Sequence, residues 1–371
     1  MTAFSKQFGP EVLLPSLEHK LAAFGKESYS VLHLATGNLF GGIEKILLTL
    51  QKNKALMPHI NQRFALMFPG RLHRELVENG AEIDSLCPVK VRYPWQIFRA
   101  RNLMRKLLLS RCVDTVVVHS TWTYAIFSAV IKSCGVRLVL WLHDAPKGSG
   151  IMEWYSKRTK PDLVLANSKY TAASVSLLFS NMEAEIAYPV IEMPKNQNFE
   201  NSRQKLRTIL GCQDATRVVL VASRFDPYKG HYLLFNALAM LSGKGQWECW
   251  VAGSVQNSQE RIFVEKLKTI AVRQGFSNRI RWLGHCSNLE DYYAAADVFC
   301  QPNQGPEPFG MVFIESQAMG CPVITTAMGG ALEAVEDNGI NTLLAKPCPD
   351  LLAQALEKHL LMSATARHAV P

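Results

Sequence analysis

The sequence predicts an α/β protein built from two Rossmann-like, doubly wound parallel-sheet domains that face each other across a cleft. Three observations carry this expectation. Short apolar runs alternate with helix-like segments along most of the chain, the pattern of βαβ units and hence of parallel sheets. The 371 residues suit two hydrophobic cores, by a soft prior of roughly 150 residues per domain. Between the two series of alternating units lies Pro189 to Asn201 (PVIEMPKNQNFEN), polar, Pro-bearing and without apolar period, the composition of an interdomain linker. The chain therefore divides into an appendage at 1–28, a first Rossmann-like domain at 29–190 and a second at 191–371.

In the appendage, Val12 to Phe24 reads as a short helix, with Pro10 and Pro15 against an early start. Ser30 to Ala35 (SVLHLA) is the first credible strand. The loop Thr36 to Gly42 follows, then a helix from Ile43 to Lys54. Its glycines are not spaced G-x-G-x-x-G, and no Lys-Ser/Thr follows to make a P-loop. Gly41 and Gly42 nevertheless let a ligand approach the backbone at a helix start; taken alone, they read rather as a tight strand-to-helix turn. Asn61 to Phe68 is a strand, Arg71 to Asn79 a helix stopped by Gly80, and Ala81 to Leu86 a further strand. Asp114 to His119 (DTVVVH) and Arg137 to Leu142 (RLVLWL) are the next strands. They lead into His119 and His143, at the edge where α/β sheets bind ligands. A lone histidine is most often a satisfied structural residue, and His119 is read so. Asp162 to Ala166 is another strand, with Ser168 placed to cap the helix after it.

The second half repeats the alternation. Arg203 to Leu210, His231 to Leu241, Gln259 to Gln274 and Leu289 to Ala295 read as helices. Val218 to Ser223, Trp247 to Ala252, Ile280 to Leu283 and Val298 to Gln301 read as strands. Gln301 to Gly330 (QPNQGPEPFGMVFIESQAMGCPVITTAMGG) is the most informative stretch. A Pro/Gly-rich loop opens it. A helix follows from Phe309 or Gly310, ended by Gly320 and barred from continuing by Pro322. Cys321 to Thr325 is then a short buried strand, and Ala331 to Asp337 begins another helix.

Two carboxylates, Glu307 and Glu315, bracket that loop and helix with seven residues between them. A helix start offers unpaired N–H groups and a positive dipole end to phosphate oxygens, here at Phe309, Gly310 and Met311. Carboxylates repel phosphate but accept hydrogen bonds from vicinal hydroxyls. A ligand anionic at its centre and hydroxyl-rich at both ends fits, with Glu307 toward a sugar and Glu315 toward a ribose. Singly, each carboxylate reads as well as a solvated residue. Arg224-Phe225-Asp226-Pro227-Tyr228-Lys229-Gly230 adds two cations at a strand's carboxyl end, suited to a diphosphate, the Arg as a planar fork and the Lys as a point charge.

RFDPYKG, followed later by EPFGMVFIE, resembles the retaining nucleotide-sugar glycosyltransferases of family 4 (glycosyl transferases group 1), which have the GT-B fold. Weaker similarity runs from about Tyr29 to about Lys358. The resemblance implies that Arg224 and Lys229 hold the donor diphosphate, that Glu307 contacts the transferred sugar and that Glu315 holds the ribose hydroxyls. It implies that the loop of Gly41 and Gly42 reaches toward the donor phosphate. It also implies that His143, as the histidine after its strand, contacts the donor sugar near the reacting carbon. Gly253 and Leu283-Gly284 then fall at strand ends beside base and phosphates. The first domain becomes the acceptor side and the second the donor side. The implied reaction moves a hexose-type sugar from a UDP- or GDP-sugar to a glycan or lipid-linked acceptor, with retention. No Asp-x-Asp occurs, so no metal is expected. A nucleotide-sugar-binding module without catalysis, and a GT-B nucleotide-sugar epimerase, are the alternatives. The family usually closes with a long helix crossing back to the first domain. After the helix around Leu351 to Leu361 such a crossing helix is expected to be short or absent.

Charge and cysteine usage bound the setting. The net charge of +9 lies wholly in residues 1–190, where 23 Lys and Arg face 14 Asp and Glu, which points to an anionic surface met by one domain. Tyr93 to Arg111 concentrates it: Arg99, Arg101, Arg105, Lys106 and Arg111 without an acid, interleaved with Trp95, Phe98, Leu103, Leu107 and Leu108. A basic amphipathic helix of this kind either lies on an anionic membrane or docks on the sheet with solvated charges. No nucleic-acid-binding signature accompanies the charge. Nine cysteines show no C-x-x-C and no zinc spacing. No run approaches the roughly 18 apolar residues of a membrane span, and no secretory signal opens the chain. A cytoplasmic protein with reduced thiols, peripheral on the inner membrane face, is expected.

Overall fold

A computed structural model describes residues 28–38, 40–192 and 198–361. The readings of Val12 to Phe24 and of the chain beyond Leu361 lie outside those residues. The described chain divides into two compact units, with the boundary after Glu192.

The first unit is a seven-stranded sheet of β1 (Tyr29–Ala35), β2 (Ile60–Leu66), β3 (Ile83–Ser85), β4 (Thr115–Val118), β5 (Arg137–Leu142), β6 (Leu163–Ala166) and β7 (Glu185–Ile186). Its spatial order is β3-β2-β1-β4-β5-β6-β7, and every pair is parallel. The chain steps outward from β1 to β3 and returns on the other side of β1 with β4, so the topological switch lies between β1 and β4. Side chains alternate between the faces. Leu32, Leu34, Val116, Val118, Leu138 and Leu140 form one core with the helices Pro94–Ser110 and Thr121–Ser133. The intervening residues, including His33, His119, Trp141 and His143, belong to the other face. Ser168 caps as expected: its Oγ accepts from the Thr171 N–H.

The helix Thr121–Ser133 was not anticipated. It buries Thr123 through Ser128, Val130 and Ile131, so apolar and small residues occupy nearly its whole circumference and no 3.6-residue period shows. The strand Glu185–Ile186 is too short to carry a pattern.

The second unit holds β8 (Arg217–Ala222), β9 (Trp247–Ala252), β10 (Ile280–Gly284), β11 (Val298–Gln301), β12 (Val323–Thr326) and β13 (Thr342–Leu344). The order is β10-β9-β8-β11-β12-β13, again parallel throughout. Its switch point lies between β8 and β11. Asp297, buried just before β11, pins the opposite edge: it accepts from Arg207 at 2.8 Å, Arg203 at 2.9 Å and the Val218 N–H at 2.6 Å. The helix expected over Ala331 to Asp337 stops at Ala334, where Val335 turns extended. The strand after Pro322 begins at Val323, because the Cys321 N–H still closes the preceding helix on Ser316 O.

Candidate active site

The RFDPYKG segment owes its shape to four residues. Phe225 is buried against Trp282 and His231 and anchors the loop in the core. Asp226 Oδ1 accepts from the Tyr228 N–H and so caps the short turn Pro227–Lys229. Pro227 presets that turn. Gly230 ends it at φ +77°, and a Cβ there would meet Pro302 O at 1.9 Å. The loop after β8 is thus pressed onto the loop after β11, which also lends Tyr228 O the N–H of Gln304 at 2.9 Å.

Glu307 sits where the two loops meet. Its Oε2 accepts from Lys229 Nζ at 2.8 Å, Asn303 Nδ2 at 2.6 Å and Gln301 Nε2 at 3.5 Å. Its backbone is held by a third loop: Gly330 N donates to Glu307 O at 2.7 Å, and Glu307 N to Met328 O at 3.3 Å. Gly329 and Gly330 permit this contact, since a Cβ on either would lie 2.4 Å or less from a backbone oxygen of Glu307 or Pro308. The loops following β8, β11 and β12 therefore converge on one carboxylate at the switch point, where α/β sheets bind ligands.

The helix Met311–Ala318 starts beside this carboxylate, with Gly310 as its cap at φ +98°. The Phe313 N–H closes on Gly310 O, and those of Met311 and Val312 have no partner inside the helix. Phe309 is buried. Glu315, half-buried on that helix, is no solvated outer face: burial and then the Glu315 carboxylate push the Tyr293 phenol well above its ordinary pKa. Arg224 is exposed and forms no ion pair among the described residues. Gly253 has a structural duty: its N–H donates to Gly284 O at 2.8 Å, and a Cβ would stand 2.5 Å from Ser223 O.

Sequence reasoning assigned Lys229 to a phosphate and Glu307 to a sugar, and missed that they bond each other. Asn303 and Gln301 were missed as well. Only the two-residue step from the end of β11 hinted that their amides share a side.

In the first unit, His143 is buried and neutral at pH 7, its pKa lowered to about 3 by burial. His119 is not isolated: its Nδ1 lies 3.0 Å from His143 Nε2, and its Nε2 lies 3.0 Å from His33 Nδ1. The strand SVLHLA gave no reason to single out His33. Gly41 caps the helix Gly42–Lys52, but its N–H is given to Glu44 Oε2 at 2.9 Å. Burial raises the Glu44 pKa, against the lowering by its bonds to the Glu44 and Gly41 N–H groups. A phosphate at Gly41 and Gly42 would meet a carboxyl group already seated on the helix start. Among the described residues no cluster of three or more His, Cys, Asp or Glu is placed to hold a metal ion. The nine cysteines are unpaired.

Two Rossmann-like parallel-sheet units in one chain, the second with a carboxylate, a lysine and a helix start gathered at its switch point, are the architecture of the GT-B glycosyltransferases. Residues 202–370 match the family model "Glycosyl transferases group 1". The match takes in the second unit and a little under half of the chain, which through that unit is similar to the glycosyl transferases group 1. An uncharacterized glycosyltransferase of Methanocaldococcus jannaschii is 24% identical over 306 residues, 76% of each chain. The D-inositol 3-phosphate glycosyltransferase of Mycobacterium marinum is 32% identical over 170 residues, 45% of this chain but only 35% of that enzyme. Anabaena HepE, crystallised with UDP and glucose, superposes with a TM-score of 0.76 at 22% identity, covering 92% of this chain and 91% of its own. That last likeness is one of fold.

Proposed function

We propose that the chain moves a hexose-type sugar from a UDP- or GDP-sugar to a hydroxyl of a glycan or lipid-linked acceptor, with retention of configuration and without a metal ion. One observation carries this reading: Lys229 and Glu307 meet at the switch point of the second sheet, beside a helix start. The names of the relatives support it, one acting on inositol 3-phosphate and one crystallised with UDP and glucose.

In this reading the bond from the sugar's anomeric carbon to the diphosphate oxygen breaks, and its electron pair leaves with the diphosphate. Arg224, Lys229 and the N–H groups of Met311 and Val312 offset the charge that develops there. Glu307 stabilises the positive charge at the anomeric carbon. The acceptor oxygen forms the new bond on the same face, and its proton passes to the departing phosphate oxygen. Glu315 holds the ribose hydroxyls.

A thermal-shift screen of nucleotide sugars tests the donor assignment. One nucleotide class stabilises the wild type, and Glu315→Ala loses most of that shift. At a ligand concentration of about 100 Kd the wild-type gain is about 2.7 kcal/mol. No stabilisation by any nucleotide sugar would refute the reading. Release of nucleotide diphosphate without acceptor separates transfer chemistry from binding alone.

The acceptor reading rests on the helix Pro94–Ser110. It docks by burying Ala100, Met104 and Leu108, and Arg101 ties it to Ile126 O at 2.6 Å. Its opposite stripe is open: Trp95 is 64%, Phe98 75% and Leu109 74% exposed, flanked by exposed Arg99, Lys106 and Arg111. This is the arrangement of a helix lying on an anionic membrane, and it supports a lipid-linked acceptor. No described helix is long and apolar enough to cross a membrane. In flotation with anionic vesicles, the Trp95→Ser, Phe98→Ser double variant is expected to partition about 10-fold or more weaker, from the lost apolar burial. Equal flotation of wild type and variant would remove this face from the reading.

A further inference from the structure

His33, His119 and His143 form one hydrogen-bonded chain across adjacent strands of the first sheet. His33 lies in β1, His119 follows β4 and His143 follows β5, and β1, β4 and β5 are neighbours. Both links measure 3.0 Å. Trp141 packs on two of the rings, its centroid 5.4 Å from His119 and 5.3 Å from His143. All three rings are buried. Burial lowers the pKa of His33 to about 4 and of His143 to about 3, and burial, with help from its two neighbours, holds His119 well below its ordinary value. Each ring is therefore a neutral imidazole at pH 7.

A neutral imidazole carries one N–H donor and one acceptor nitrogen. Each N···N link needs one of each. The links use Nδ1 of His33, both nitrogens of His119 and Nε2 of His143. Only two arrangements satisfy both links: all three protons on Nδ1, or all three on Nε2. In the first, His143 presents an N–H at Nδ1; in the second, it presents a lone pair there. The choice made at His33 is thus transmitted to His143.

Both ends of the chain bear on the choice. His143 Nδ1 is buried and has no hydrogen-bond partner among the described residues. Beside it, Asn167 donates to His143 O at 2.9 Å while its own Oδ1 is likewise unpartnered. At the other end, His33 borders a cavity of about 30 Å³ lined by Val31, Leu50, Met57, Gln62 and Trp141 among others. Gln62 gives its Nε2 hydrogens to Leu50 O and Gln51 Oε1, so its unpartnered Oε1 is an acceptor on that cavity. An acceptor there favours the proton on His33 Nε2.

We propose that His33 and His119 are positioning residues that hold His143 with its proton on Nε2, so that His143 Nδ1 accepts a hydrogen bond from a hydroxyl of a sugar bound at this edge of the first sheet. The sugar as ligand rests on the function proposed above; the coupling of the three tautomers does not.

The test is side-chain nitrogen NMR of protein labelled with 15N-histidine. In the wild type, each of the three rings is expected to show a protonated Nε2 and an unprotonated Nδ1. His33→Leu removes the acceptor of His119 Nε2–H, and His143 is expected to become a tautomer mixture. His33→Asn places an amide oxygen near the former Nδ1 and is expected to restore the wild-type His143 signals. With UDP- or GDP-sugar as donor, His33→Leu lowers kcat about 10-fold or more, and His33→Asn recovers most of it. The dissociation constant of free UDP or GDP stays unchanged in both. A wild-type His143 protonated on Nδ1 overturns the proposal, as does a His143 tautomer indifferent to His33→Leu. Should His33→Leu not fold, the wild-type and His33→Asn spectra still decide. If no nucleotide binds the wild type, the proposed function fails while the tautomer result stands by itself.

Discussion

Glu307→Gln lowers kcat for sugar transfer by about 10²–10³-fold while leaving the stability of the second unit nearly unchanged, and Lys229→Ala lowers both. The first expectation follows from charge. Gln keeps the shape and the contacts of the buried side chain with Asn303 and Gln301, but withdraws the negative charge from the place where, in the proposed reaction, positive charge develops at the anomeric carbon. Losing one fixed electrostatic contact to a transition state costs about 10²–10³ in rate. The second follows from the pair itself. Lys229 Nζ and Glu307 Oε2 are 2.8 Å apart, with side chains 17% and 11% exposed. Removing Lys229 strands a largely buried carboxylate. For fully buried pairs that loss is about 3–5 kcal/mol; with Asn303 still donating at 2.6 Å, about 2 kcal/mol is expected. Turnover and urea midpoints measured on both variants check this. Transfer within threefold of wild type for Glu307→Gln would remove the carboxylate from the chemistry. The double variant is expected to be far from additive, because the two side chains share one interaction.

Gly230→Ala destabilises the second unit by about 4 kcal/mol. Two costs combine. An alanine at φ +77° bears the left-handed penalty of about 1–2 kcal/mol. Its Cβ would also stand 1.9 Å from Pro302 O and 2.7 Å from Pro302 C, backbone atoms that cannot swing aside as a side chain does. The loop after β11 must shift, and with it Asn303 and Glu307. Gly245 supplies the control. It has φ +61° with nothing within 4 Å of the position a methyl would take, so Gly245→Ala bears only the first cost. Denaturation midpoints of the two variants isolate the close approach. At about 2–4 °C per kcal/mol for a unit of this size, Gly230→Ala falls by about 8–16 °C and Gly245→Ala by about 2–8 °C. Equal losses would mean that the loop contact is soft.

The strands were legible because parallel strands covered on both faces are short apolar runs bounded by loop residues. Trp247–Ala252, Arg137–Leu142 and Val298–Gln301 have the limits their apolar runs suggest. The helix Thr121–Ser133 was illegible for the opposite reason: burial on nearly all sides erases the period that marks a helix. At the site, the cations and carboxylates stood out as residue types following strand ends. Their partners did not. Asn303 and Gln301 look like ordinary loop and strand residues until the chain folds, and Glu44 gave no sign that it would take the Gly41 N–H.

Taken alone, the amino-acid order determined the alternation of strands and helices, the parallel sheets that follow from it, and the cations and carboxylates that follow the strand ends. These depend on local pattern and on side-chain chemistry, which travel with the chain. Tertiary structure alone decided that Lys229 pairs with Glu307 across 78 positions and that His33, His119 and His143 join into one chain. Both depend on strand order and register, which bring distant residues within hydrogen-bonding reach and leave no trace in the spacing between them.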